Sequence, residues 1–403
     1  MHVVIFADQH VESLGGAQVS MRLQRRYLER AGHTVTIVAP RRHGARARVN
    51  PDDPAYLDLP SVPITPDREY SLTWPGRRAD RAIDAGLAGR PPVDVVHVQA
   101  DFWGAFLGYR LAARHDLPVV HTMHNRVDVG IEATAPFPGL VLRALNGWRR
   151  GALRGRIGGL ATGVDGWAYL RGLALGARAV TAPSGHFARR LEQHAVFPSV
   201  DVVWNGIDDE LLDRVRAEAV PERTAGPPRF VWLGRMSPEK RLLPFLEALA
   251  EARVTCEVEI IGGGAQLAAA QRLVAKHRLP VTFAGRLAYD ETLRRIAAAD
   301  ALVQTSIGFE TQGMTPFEAA SLGTPAVVSD PDIAAEVGAG VWPVALADDE
   351  PGRISALAAA LRTAASDIRN GTAPAPDPEM PTKFRQSSRT AAMIEVYRRA
   401  TGV

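Results

Sequence analysis

Two doubly wound α/β domains, each a parallel sheet with helices on both faces, are what the sequence predicts. Three observations carry this. Short apolar runs alternate with helical patterns between residues 2 and 123, the alternation restarts after residue 205, and 403 residues suit two domains or more. Hydrophobic residues at 46% and charged residues at 23% are ordinary for a folded globular protein and exclude disordered or collagen-like chains.

In the first half, residues 2–7 read as a strand, 16–31 as a helix and 34–39 as a second strand. Residues 94–99 and 118–123 form two more strands around a helical 102–115, whereas 41–92, rich in Pro, Arg and Asp, reads as a surface excursion. In the second half, strands are expected at 230–233, 255–262, 281–284, 301–304 and 326–329, with helices at 242–252, 266–277, 290–298 and 316–322. The halves join near 184–208, 366–381 reads as a proline-rich linker, and 383–399 as a closing helix. The expected domains are therefore 1–190, onto which 383–403 packs back, and 206–380. In such sheets ligands sit beyond the carboxyl ends of the strands, so two facing halves imply a central cleft.

No stretch approaches the roughly 18 apolar residues of a membrane-spanning helix, and the first residues are too short an apolar run for a secretory signal. The chain reads as cytoplasmic. The lone Cys256 excludes an internal disulfide and a cysteine-cluster metal site. The net charge is +3, and of 47 basic residues only Lys240, Lys276 and Lys383 are lysines. An arginine bias of this kind follows from a GC-rich genome as readily as from any partner, and nucleic-acid binding is not expected. Residues 139–178 hold seven arginines, including Arg149, Arg150 and Arg154, but a single acid, Asp165, with Leu140 and Trp148 interleaved. That segment reads either as a face for an anionic membrane or as a solvated helix weakened by its glycines.

Four motifs carry chemistry. In Gly308–Gly323, Glu310 and Glu318 flank a strand-to-helix turn, where the amides of Gln312, Gly313, Met314 and Thr315 would favour an anion. The same residues spell a capping box, with Thr315 as the cap, Pro316 first in the helix and Glu318 three residues on. In Gly234-Arg235-Met236-Ser237-Pro238-Glu239-Lys240, glycine permits close approach and two cations suit a phosphate, without the Walker spacing. Solvated surface cations would look alike. Gly15-Gly16-Ala17-Gln18 and Gly262-Gly263-Gly264 are short glycine turns, each weak alone. His124, at a strand end, can hydrogen-bond a hydroxyl or hold a turn, and His121 with His124 is poor metal geometry, so no metal is expected.

Together these pieces, with Ala182-Pro183-Ser184, Asn205-Gly206-Ile207-Asp208 and Phe283-Ala284-Gly285-Arg286, resemble the family-four retaining glycosyltransferases of GT-B architecture over nearly the whole chain. The resemblance implies a nucleotide-sugar donor and no further cofactor. It implies Glu318 on the ribose, Arg235 and Lys240 on the diphosphate, and Glu310 with Thr311–Thr315 on the donor sugar. Phe283, Arg286 and Leu287 would meet the base, Gly234 and Gly263 would allow close approach, and Gly15 and Gly16 would reach the diphosphate from the first half. His124 would lie near the sugar hydroxymethyl. Thr311-Gln312-Gly313 replaces the Gly-Phe-Gly of many relatives and is similar to the diacylglycerol glucosyltransferase branch. The expected reaction is transfer of a hexose, with a UDP-sugar favoured over a GDP-sugar, to an amphiphilic or lipid-linked acceptor at the inner membrane face.

Competing readings are a GDP-mannose or soluble-acceptor transferase and a silent nucleotide-sugar-binding partner, which would be expected to have lost part of the charged set. A phosphorylase would need a Schiff-base lysine, and the second half's core offers only Lys240 and Lys276.

Overall fold

The computed structural model describes residues 1–402 except 14–15, 44–52, 66–67, 69, 160–161 and 219–225. The chain divides into two units, Met1–Asn205 with Arg389–Val403, and Gly206–Ser388. Each unit is built on one parallel sheet.

The first unit runs β1 (His2–Ala7), α1 (Gly16–Arg30), β2 (Thr34–Pro40), β3 (Tyr56–Leu59), β4 (Val62–Pro63), β5 (Ser71–Leu72), α2 (Arg77–Leu87), β6 (Val95–Gln99) and α3 (Trp103–His115). It continues through β7 (Val119–Thr122), α4 (Val127–Thr134), α5 (Pro138–Ala152), α6 (Gly166–Ala174), β8 (Ala179–Ala182), α7 (Gly185–Gln193) and β9 (Val200–Val202). The seven-stranded order is β3-β2-β1-β6-β7-β8-β9, with β4 and β5 as a separate antiparallel ribbon. β1 and β6 are buried at every position, which is why β1 reads as a continuous apolar run from Val3 on; β6 carries His97, buried with the Thr122 hydroxyl 2.7 Å from its Nε2.

The second unit runs α8 (Asp209–Ala217), β10 (Arg229–Arg235), α9 (Leu242–Ala252), β11 (Glu257–Gly263), α10 (Leu267–His277), β12 (Val281–Gly285), α11 (Tyr289–Ala298) and β13 (Ala301–Gln304). Then follow α12 (Met314–Ser321), β14 (Ala326–Val328), α13 (Pro331–Val337), β15 (Val341–Pro343), α14 (Glu350–Asn370), α15 (Met380–Lys383) and α16 (Gln386–Thr401). Its sheet order, β12-β11-β10-β13-β14-β15, reverses direction between β10 and β13 as the first reverses between β1 and β6. A reversal leaves a crevice at the carboxyl ends of the two strands, which is where a doubly wound sheet takes a ligand. From Arg389 onward α16 belongs to the first unit, where Met393, Val396 and Tyr397 join the core beneath β1 and β2.

The structure corrects several expectations. The 41–92 excursion contains β3, paired parallel to β2, and α2, whose Ala79, Asp80 and Ile83 are buried. The sequence hides that helix because its inward face carries a carboxylate. Asp80 is neutralised there by Arg110 and Arg114, whose nearest nitrogens lie 2.5 and 2.8 Å away. Residues 366–370 of the supposed linker are the last turns of α14, which Gly371 ends in a left-handed cap. Helix α5 covers the first part of 139–178, and in it Arg149 points inward, packed against Gly172 and 4% exposed. It is therefore not part of a membrane-facing surface.

A candidate nucleotide-sugar site at the strand ends

In the second unit, β10 and β11 pair residue for residue to their ends, Gly234 with Gly262 and Arg235 with Gly263. A β-carbon on Gly262, at φ +134°, would stand 2.0 Å from the Gly234 carbonyl oxygen, so only glycine lets these ends meet. Met236 N–H donates to the Gly263 carbonyl at 2.9 Å, and Gln266 N–H to that of Met236 at 3.0 Å. The turn is thus fastened before the chain enters a single 3₁₀ turn, Pro238–Lys240.

Lys240 is held at both ends. Trp232 Nε1 donates to Thr305 Oγ1 at 2.8 Å, and that hydroxyl donates to the Lys240 carbonyl at 2.6 Å. The Lys240 ammonium donates to Glu310 Oε1, which also accepts from Ser306 Oγ at 2.8 Å. Trp232 is in β10 and Thr305 follows β13, the two strands that bound the reversal, so this network sits at the reversal point.

The loop carrying Glu310 is fixed from below. Gln304 Nε2 donates to the Ser306 carbonyl at 2.9 Å, and Gly308 N–H donates to Asp330 Oδ2 at 2.7 Å. The other oxygen of Asp330 caps α13, accepting from Asp332 N–H at 2.9 Å. The loop closes at Gly313, the cap of α12, whose left-handed φ of +71° favours glycine, with the Ile333 side-chain tip 2.6 Å from a would-be β-carbon. The Glu310 Cβ lies 3.6 Å from that same point, which puts its carboxylate beside the positive end of the helix. The helix starts at Met314, not Pro316, and Thr315 does not cap it. The capping-box reading is overturned because Gly313 makes the turn one residue earlier than a Thr cap requires.

Glu318, one turn into α12, is 4% exposed and accepts from the Tyr289 hydroxyl at 2.7 Å. Burial pushes its carboxyl up to about 7, against the opposing effect of the Tyr289 hydrogen bond. Tyr289 and Asp330 escaped sequence reading because neither belongs to a motif. Arg235 is not drawn into the network: its side chain is 70% exposed and 3.5 Å from Glu239. Arg286 lies against Gly263, its Nε 3.3 Å from a would-be β-carbon there, with Phe283 half-buried and Leu287 half-exposed at the end of β12.

In the first unit, three turns converge where β1 and β6 reverse the sheet. Asp8, after β1, accepts N–H groups of Asp101 at 2.8 Å, Phe102 at 3.1 Å and Gly104 at 2.8 Å, fastening the start of α3. Burial, and to a lesser degree the neighbouring Asp101, nonetheless raise its carboxyl to about 7. Asp101 Oδ2 accepts from Asn125 Nδ2 at 2.7 Å and from the Asn125 N–H at 3.0 Å, and so sets the turn that carries His124. His124 Nε2 is 3.3 Å from Gln99 Oε1, and burial holds its imidazole below the ordinary value, neutral at pH 7. Gly16 opens α1, whereas Gly15 lies outside the described residues.

The remaining motifs support the fold. Ser184 caps α7, accepting from Phe187 N–H at 3.1 Å, and Asp208 caps α8. Gly206 allows the 384–386 backbone to approach, a β-carbon there standing 2.8 Å from the Gln386 Cα.

Two Rossmann-like parallel sheets with polar networks at their reversal points define a two-unit, doubly wound α/β fold. Residues 14–211 match Glycosyltransferase Family 4 and residues 227–367 match Glycosyl transferases group 1. The chain belongs to the family-four glycosyltransferases and has their GT-B fold. It is 25% identical over 342 residues, 81% of its length and 70% of the other's, to the alpha-monoglucosyldiacylglycerol synthase of Streptococcus pneumoniae. Among solved structures, HepE of Anabaena in complex with UDP and glucose superposes with a TM-score of 0.65 at 16% identity, covering 98% of this chain and 99% of that one. Sucrose-phosphate synthase of Thermosynechococcus elongatus does so at 0.65 and 18%, covering 98% of each.

Proposed function

We propose that the protein transfers a hexose, with retention and without a metal ion, from a UDP-sugar to an amphiphilic, lipid-linked acceptor. The observation that carries the donor half is the Lys240–Glu310 pair beside the start of α12, at the reversal point of the second sheet. On this reading residues 206–380 are the donor domain and 1–190 with 383–403 the acceptor domain. Cleavage of a sugar–diphosphate bond builds negative charge on the leaving group. Lys240 and the first-turn amides of α12 are positive groups already in place for such charge, and the exposed Arg235 is a second cation able to turn onto the diphosphate. Glu310, released from Lys240 by the incoming diphosphate, accepts sugar hydroxyls together with Thr311, Gln312 and Gly313. Glu318 accepts the ribose, the end of β12 at Phe283–Leu287 takes the base, and neutral His124 hydrogen-bonds the sugar hydroxymethyl. Gly16 approaches the diphosphate, the leaving phosphate oxygen takes the acceptor proton, and no protein nucleophile is needed.

The amphiphilic acceptor is supported by the name of the pneumococcal relative and by a surface of the first unit. Trp74, Phe137 and Leu140 are 68%, 68% and 65% exposed. Trp74 stacks on Trp148 of α5 at 5.3 Å, and Arg77, Arg78, Arg143, Arg150 and Arg154 are exposed on the same two segments. Exposed aromatics among arginines suit the headgroup region of an anionic bilayer. No helix among the described residues is long and apolar enough to cross a membrane, so the proposed association is peripheral, on the cytoplasmic face.

The test is a thermal-shift screen against UDP, GDP, ADP and their sugar conjugates, with and without EDTA, followed by NMR of the anomeric product formed on diacylglycerol vesicles. A shift with UDP-sugar that EDTA leaves intact, and an α-linked product from an α-linked donor, is the expected result. No shift with any nucleotide would overturn the reading.

A further inference from the structure

We propose that the first unit carries a second small-molecule site, for a phosphoryl-bearing anion, on the amino-terminal edge of its sheet. This proposal does not rest on the donor or acceptor reading. A cavity of about 540 Å³ opens beside the starts of β7 and β8, within the range of small-ligand sites. Asp8, Asp101 and His124 follow the carboxyl ends of the strands, so the cavity lies at the other edge of the sheet. Its apolar part comes from Tyr109 of α3, Val119 of β7 and Ile157. Its polar part is three guanidiniums, Arg156, Arg178 and Arg399, against one lining carboxylate, Asp116, among the described residues.

The positive charge is incompletely offset. Arg399 is held by Asp201 at 2.7 Å. Arg156 has only Asp80, at 4.0 Å, and Asp80 is already bound by Arg110 and Arg114. Burial and then the Arg110 charge accordingly hold the Arg156 guanidinium below its ordinary value. The Arg178 side chain is exposed and makes no hydrogen bond or ion pair with a described residue. Guanidiniums lining one cavity, two of them, Arg156 and Arg178, without a close carboxylate, suit a tetrahedral dianion that takes their N–H donors, and the apolar part of the lining suits the short organic body it is esterified to. A soluble phosphate ester and a phospholipid headgroup share this chemistry.

The test titrates the full chain with sn-glycerol 3-phosphate by calorimetry, and sediments it with phosphatidylcholine vesicles with and without phosphatidic acid. Wild type is compared with Arg156→Gln/Arg178→Gln and with Asp116→Asn. The first variant removes no strong ion pair, and Asn tolerates the left-handed φ of 52° at position 116, so both are expected to keep the wild-type thermal midpoint. The double variant should bind at least about tenfold more weakly, and Asp116→Asn more tightly. The reading is a difference between variants, so phosphate held elsewhere on the chain cancels. A difference seen with glycerol 3-phosphate assigns the site to a soluble ester, and one seen only on phosphatidic-acid vesicles assigns it to a headgroup. Equal binding of wild type and both variants to both probes overturns the proposal.

Discussion

Glu318→Gln tests whether a buried carboxylate is held at a pH-dependent disadvantage in the free protein. The folded carboxyl titrates near 7, against 4.5 for the unshifted group. Between those values the folded chain keeps a proton that the unfolded chain has lost, so stability falls as pH rises through this window. At about 1.4 kcal/mol per unit, the loss accumulated between pH 5 and pH 8 is roughly 2.5 kcal/mol. Glutamine keeps the shape and an acceptor for the Tyr289 hydroxyl but cannot ionise. Its stability relative to wild type should therefore improve by that amount between pH 5 and pH 8. Asp8 contributes a fall of the same sign, but it is present in both proteins and cancels. The assay is urea unfolding followed by tryptophan fluorescence at both pH values. A wild-type-minus-variant gap that does not change with pH would refute the argument. On the proposed function, donor binding needs the ionised carboxylate, so wild-type donor affinity should also fall about tenfold per unit below pH 7, while the variant's stays flat.

Three further outcomes are expected. Lys240→Ala should lower turnover by about 10²–10³ while the thermal midpoint changes little, and wild-type turnover would remove Lys240 from the chemistry. Gly262→Ala forces a carbon to within 2.0 Å of a carbonyl oxygen. Overpacking of this kind costs about 1–3 kcal/mol, so an unchanged urea midpoint would mean the two strand ends are not in contact. Phe137→Ser/Leu140→Ser and, separately, Arg150→Glu/Arg154→Glu should each weaken sedimentation with anionic vesicles at low salt. Unaltered binding in both would return α5 to an ordinary solvated helix.

The strands β1, β2, β6, β7 and β10–β14 were legible because buried parallel strands are rich in apolar residues, as in β1, β10 and β13, whereas β3, β8, β9 and β15 were not legible as strands. Legibility failed where a polar residue was buried with its partner. Asp80 makes α2 look like loop, and Arg149 makes the inward face of α5 look solvated. Only the tertiary partners, Arg110 and Arg114 in one case and the bare surface of Gly172 in the other, explain those positions. The candidate site divides in the same way. Glu310, Glu318 and Lys240 stood out through their spacing, whereas Trp232, Thr305, Asp330 and Tyr289, which hold them, are single residues on four separate elements. A sequence pattern records what repeats along the chain, and these contacts join positions as much as 73 residues apart, as between Trp232 and Thr305.

The two reversal points use one topology for different purposes. In the first unit the charged groups are consumed by the fold: Asp8 spends three acceptor bonds on the start of α3, and Asp101 spends its Oδ2 on the 124–125 turn. What remains there is a neutral imidazole, suited to a hydroxyl rather than to charge. In the second unit the backbone is fastened by Trp232, Thr305, Gln304 and the Asp330 carboxylate, while Lys240 and Glu310 pair with each other and Glu310 also accepts from Ser306. An exchangeable ion pair is a weak structural element, because its attraction is largely offset by the desolvation of both charges. It is a good binding element for the same reason: a diphosphate can replace the carboxylate on the ammonium, and sugar hydroxyls can replace the ammonium on the carboxylate, with neither charge left unpaired. On the proposed function, anion chemistry thus falls to the second sheet and hydroxyl recognition to the first.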